Sequence, residues 1–121
     1  MSEEKFEYQI RQKPEPIEGL FYLQDTIYAW KVYHARFQMY LDGDIHERPV
    51  KPAIGVGELE KKYPRAAAYR TAEVWANSAS FAKARFGQQA CERILAGEDH
   101  NQVLDDMNKA WAAFRVAQGE E

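Results

Sequence analysis

The order of apolar and polar residues divides the chain into one alternating stretch and three helical ones. Between residues 5 and 11, Phe6, Tyr8 and Ile10 fall on one side and Glu7, Gln9 and Arg11 on the other. That two-residue period predicts a short half-buried strand. Lys13-Pro14-Glu15-Pro16 ends it, because two prolines remove two ladder donors. Gly19–Leu23 reads as a second strand or as the lead-in to a helix. Residues 5–23 are therefore expected to form a small N-terminal β element with irregular parts.

Residues 25–42 read as a helix, with Asp25 or Thr26 as its cap and Asp42-Gly43 as its stop. Ile27, Trp30, His34, Phe37 and Leu41 make one stripe at helical spacing, and Tyr28, Val32, Ala35 and Met39 make a second. A helix apolar on two sides is expected to be buried on two sides, as a central element or against a second copy of the chain. A β-hairpin is the competing reading, since Trp, Tyr, Val and Phe also favour strands.

Residues 43–63 read as a loop, rich in Pro and Gly, with one helical turn near Glu58–Tyr63. Pro64 suits the first turn of the next helix, which runs to Ala96. Unbroken, it would be about 50 Å long at 1.5 Å per residue, long for a domain of this size, and Gly87 and the Asn77-Ser78 pair are the two places where it could bend or break. Its stripe, Ala68, Ala72, Trp75, Ala79, Ala82, Phe86 and Ala90, is mostly small, which lets a neighbouring helix approach closely. Gly97 stops it. Asp99 and Gln102 open a last helix, 99–117, with Val103, Met107, Ala110, Phe114 and Ala117 facing inward. The expected fold is mainly α: three helices, or four if 64–96 breaks, plus the N-terminal β element, in one domain spanning 1–121. The three tryptophans, one per helix, are expected in the core.

Composition narrows the class. Hydrophobic residues are 45% of the 121, aromatics 13% and charged residues 29%, which excludes a disordered tail. A lone cysteine, Cys91, excludes a disulfide scaffold and a cysteine-rich zinc site. No apolar run suits a secretion signal or a membrane span, so a cytoplasmic protein without membrane association is expected.

Catalytic chemistry is sparse. His34, His46 and His100 show no metal-protease spacing, and His34, within an apolar stripe, reads as a hydrogen-bonded core residue. Asp42-Gly43-Asp44-Ile45-His46-Glu47 is the densest polar cluster, but it does not match a calcium loop and reads first as a solvated helix stop. A small-ligand or metal site there is one alternative. Gly55-Val56-Gly57 lacks the context of a nucleotide fingerprint. No enzyme activity and no cofactor are expected.

Charge placement is more informative than the net charge of −3. Residues 1–60 carry −4, residues 61–93 carry +5 and residues 94–121 carry −4. The basic residues of 61–93 scatter around the helix, which favours pairing with acidic neighbours over a nucleic-acid contact; the latter stays as the other alternative. On a continuous helix, Arg70, Val74, Phe81 and Arg85 share one face, and apolar groups flanked by arginines resemble a protein-docking surface.

The segment Tyr63–Trp111 resembles small proteins encoded in bacteriophages and prophages. The likeness rests on Tyr63-Pro64-Arg65-Ala66-Ala67-Ala68-Tyr69, the alanine-rich helix to Ala96, the Gly97-Glu98-Asp99 turn, and the acidic helix holding Trp111. It carries no residue-level activity. It implies a mobile-element setting inside a bacterial cell, where small accessory regulators or inhibitors act by binding a host or phage protein. A protein partner is therefore expected; a homodimer is left open by the two-sided apolar pattern of 25–42.

Overall fold

The computed structural model describes residues 14–119. The strand expected at 5–11 lies outside them. The described residues form five helices and no strand: α1 (Leu20–Leu41), α2 (Val56–Lys62), α3 (Pro64–Ala76), α4 (Phe81–Leu95) and α5 (His100–Ala117). The mainly helical class is as expected, and the hairpin reading of 25–42 is excluded. Of the two readings of Gly19–Leu23, the helical lead-in holds and the second strand is corrected: Leu20–Leu23 is the first turn of α1.

The reason is a cap that precedes the apolar pattern. The Glu15 carboxylate accepts from the amides of Gly19 and Phe21, each at 2.9 Å, and so occupies donors that a helix start leaves open. Gly19 has φ 81°, and the ring of Tyr63 lies where a side chain at Gly19 would stand. The start of α1 is thereby pinned to the α2–α3 junction. Asp25 and Thr26, the expected caps, lie inside the helix. Its stop falls at Asp42-Gly43, with Gly43 at φ 84°.

The long helix breaks at Asn77–Ser80. Asn77 closes α3, and Ser80 opens α4 by accepting from the Lys83 amide. α3 and α4 fold back antiparallel, with Tyr69 beside Cys91 and Ala72–Ala76 beside Gly87. Gly87 does not bend its helix; it admits the neighbouring backbone. A β-carbon there would stand 2.7 Å from the Ala72 carbonyl oxygen and 2.7 Å from the Trp75 carbonyl carbon, far inside van der Waals contact.

α5 runs antiparallel to α4, and α1 packs on α2 and α3. The core joins Ile17, Leu20, Leu23, Leu59, Ala66, Ala68, Ala72, Ala90, Ile94, Val103 and Met107. Four of these eleven are alanines, so the core is thin and depends on close backbone approach. The Arg65 guanidinium secures the end of α4 by donating to the carbonyls of Ile94 and Glu98. Arg93 bridges Glu98 at 2.8 Å and Asp106 at 3.0 Å, tying α4 to the start of α5.

α1 is not buried on two sides. Its buried residues, Leu20, Leu23 and Thr26, all lie in its first two turns. Beyond them, one side lies under the return segment 45–54. Trp30 Nε1 donates to the Ile54 carbonyl at 2.9 Å, and Arg48 stands over Phe37 and Lys51 over Trp30. His34 is exposed, stacked loosely between Trp30 and Tyr33 rather than held in the core.

Two predictions follow from these contacts. Gly87→Ala is expected to destabilise by about 1–3 kcal/mol, because the backbone it meets cannot step aside. Gly57→Ala, exposed in α2 with nothing within 4 Å of the added carbon, is expected to be neutral or to stabilise by up to ~1 kcal/mol. Denaturant unfolding of both separates close packing from intrinsic propensity. The second prediction concerns acid. Hydrogen bonds from Gln102 and Arg93 hold the Asp106 carboxyl below its ordinary range. A depressed folded-state value stabilises at pH above the unfolded value of about 4, and that contribution is lost as pH falls through the folded value. Asp106→Asn is expected to reduce the stability lost between neutral pH and about pH 2. An unchanged acid dependence would show that the pairing contributes nothing.

Candidate interaction surfaces

The break at Asn77–Ser80 divides the four candidate docking residues between two helices. Arg70 and Val74 stay on α3; Phe81 and Arg85 go to α4. Arg70 lies 3.7 Å from Glu73, whose carboxylate also accepts from the Gln24 amide of α1 at 3.1 Å, so this end of α3 is engaged within the chain. Val74 is exposed.

Phe81 and Arg85 belong to a different surface. Together with Ala82, Phe86, Gln89 and Phe114 they line a groove of about 540 Å³ between α4 and α5. Phe81, the first residue of α4, is 90% exposed at its rim. Arg85 is also exposed.

Behind the groove lies an aromatic cluster spanning three helices. The Phe86 and Phe114 rings meet edge-on at 6.2 Å, Phe114 stacks on Trp111 at 5.8 Å, and Trp111 meets Trp75 edge-on at 6.2 Å. The Lys83 ammonium sits over both indoles, 4.7 Å from Trp75 and 5.7 Å from Trp111. Such a cation–π pair stabilises by roughly 0.5–2 kcal/mol and fixes the first turn of α4 against α3 and α5. Phe86 and Phe114 were legible in the sequence only as inward-facing positions. Their role as walls depends on how α4 and α5 pair, which no single-helix pattern contains.

Most of the basic segment is engaged internally. Arg65 donates to carbonyls, Arg70 faces Glu73, Arg93 bridges two carboxylates, Lys62 lies over Tyr63 and Lys83 over two tryptophans. These contacts favour pairing within the fold over a phosphate-binding face.

The polar cluster after α1 acts as a helix end. Asp42 Oδ1 accepts from the Gln38 amide at 2.9 Å. Among the described residues no group of three His, Cys, Asp or Glu is placed to hold a metal ion. Gly55-Val56-Gly57 is the start of α2, where the Glu58 carboxylate accepts from the Gly55 amide. No helix among the described residues is long and apolar enough to cross a membrane.

Cys91 is half-buried beside Tyr69 and Glu73, in a pocket lined by α3 and α4. Burial, followed by the Glu73 and Glu92 charges, pushes its thiol up to about 11. Few thiolates are therefore available at neutral pH, and the arrangement suits a structural thiol rather than a nucleophile.

Comparison with protein-family models, with curated proteins and with solved structures gives no match.

The thiol environment makes a direct prediction. At neutral pH, Cys91 of the folded protein is expected to react with a disulfide reagent on the order of a hundredfold more slowly than in denaturant. Equal rates in the two states would contradict the packing of α3 against α4.

Proposed function

We propose that this chain is a non-catalytic protein-binding module of a phage or prophage. In this reading it acts in the bacterial cytoplasm as an accessory or inhibitory factor on a host or phage protein. The observation that carries the reading is Phe81. A phenylalanine left 90% exposed costs solubility without contributing to the fold, and here it stands beside an exposed arginine at the rim of an aromatic groove. Aromatic and arginine anchors of this kind dominate protein–protein binding energy. The resemblance of Tyr63–Trp111 to phage-encoded proteins supplies the setting.

The groove suits a partner segment that presents an apolar side chain next to a carboxylate. The apolar group would enter between Phe86 and Phe114, and the carboxylate would meet Arg85. Arg70 and Val74 lie outside this groove and are not needed for the contact.

The test is capture of a bacterial protein from lysate by the native chain and by the Phe81→Asp, Arg85→Glu double variant. The double change is expected to weaken capture by roughly 30-fold or more, as for loss of a principal anchor, with an unchanged circular dichroism spectrum. Undiminished capture would place the binding surface elsewhere. Unfolding of the variant would make Phe81 a structural residue.

A further inference from the structure

A second groove, of about 600 Å³, lies between α1 and residues 47–52 of the return segment. That volume falls within the range of small-molecule sites. Its walls are tied together by contacts outside the groove itself. The Asp44 amide donates to the Met39 carbonyl at 2.9 Å, Trp30 Nε1 donates to the Ile54 carbonyl at 2.9 Å, and Lys51 stands over Trp30. Pro49 and Pro52 each fix one backbone angle of the segment wall. The concavity is therefore built before a ligand arrives.

The same contacts give the groove a direction. Arg48 lies beside Phe37, whereas Lys51 and Ile54 lie beside Trp30, so the segment returns antiparallel to α1. Arg36, Glu47 and Arg48 thus meet at one end, and Tyr28 and Pro52 mark the other. Tyr28 and Arg36 are eight residues apart, about 12 Å along the helix axis. The charged end is open. Among the described residues, neither arginine has a carboxylate within ion-pair distance and Glu47 has no cation. The Arg48 guanidinium stands over Phe37 at 5.4 Å, which engages its face and leaves the donors in its plane free. Three charges drawn to one end of a groove without pairing leave room among them for a head group.

We propose that this groove binds a free α-amino acid with an aromatic or large aliphatic side chain. Its carboxylate is taken by Arg36 and Arg48, and its ammonium by Glu47. Its side chain lies over Val32 and Tyr33, one turn of α1 from Arg36, and points toward Tyr28. The charges select this head group. An apolar acid without an amine leaves Glu47 as an unmatched negative charge beside it, and an apolar amine leaves both guanidiniums unmatched. A residue inside a peptide carries neither charge. The rims select the side chain: Tyr28 is 68% exposed and Val50 90%, apolar surface that a large apolar group covers and a polar one does not. The site is open on one side, so affinity is expected to be modest.

Calorimetric titration of the full chain with L-phenylalanine tests this, without use of the Phe81 groove. Saturable binding is expected, with a dissociation constant of about 1 mM or below. Glycine, 3-phenylpropionate and phenethylamine, which lack the side chain, the amine and the acid in turn, are each expected to bind at least about tenfold more weakly. Glu47→Gln is expected to weaken L-phenylalanine by about tenfold and to leave 3-phenylpropionate equal or tighter, whereas Arg36→Gln weakens both. Both residues are exposed, so the circular dichroism of each variant is expected to be unchanged. The Phe81→Asp, Arg85→Glu protein is expected to bind L-phenylalanine like the native chain. No saturation by about 10 mM overturns the proposal. So does 3-phenylpropionate or glycine binding as tightly as L-phenylalanine to the native chain, a result that depends on no variant. Loss of binding in the Phe81→Asp, Arg85→Glu protein would move the site to the other groove and overturn it as well.

Discussion

The fold depends on one close approach, the backbone of α3 against the backbone of α4 at Gly87. Nothing larger than a hydrogen fits between Gly87 and the Ala72–Ala76 segment. Around this point the facing residues are small: Ala68 and Ala72 on one helix, Ala90 on the other. A core built this way buries little area per side chain, and gains instead from dense backbone and methyl contacts. The larger rings are displaced to the flank, where Trp75, Trp111, Phe86 and Phe114 form a cluster with Lys83 among them. The groove at Phe81 is thus a consequence of the approach: the interior has no room for these rings, so they wall the edge between α4 and α5.

α1 shows the complementary constraint. It is too long for the small core it serves. Its first two turns carry Leu20, Leu23 and Thr26 into the bundle, and Glu15 and Tyr63 fix that end in place. The remaining turns extend past the core and must satisfy their apolar residues another way. The return segment does so on one side by hydrogen bonding to Trp30 and placing cations over Trp30 and Phe37. On the second side, Tyr28 and Val32 line a groove whose other wall is Arg48, Pro49 and Val50 of the same return segment.

Local signals in the sequence located most of the helices. Pro64 at the head of α3, Asp42-Gly43 at the end of α1, and Asp99 with Gln102 at the head of α5 act within one turn, so each is readable without the tertiary structure. The break between α3 and α4 lies at Asn77–Ser80, near residues that compete for backbone hydrogen bonds. The start of α1 is not legible locally, because its cap is Glu15, separated from the helix by a turn, and because a strand and a helix start share the same apolar run at Leu20–Leu23. The four-residue docking face requires one continuous helix, and the chain reverses direction between Val74 and Phe81. Phe81 and Arg85 kept their proximity, being one turn apart within α4. Arg70 and Val74 did not join them, and Phe114, distant in sequence, took their place.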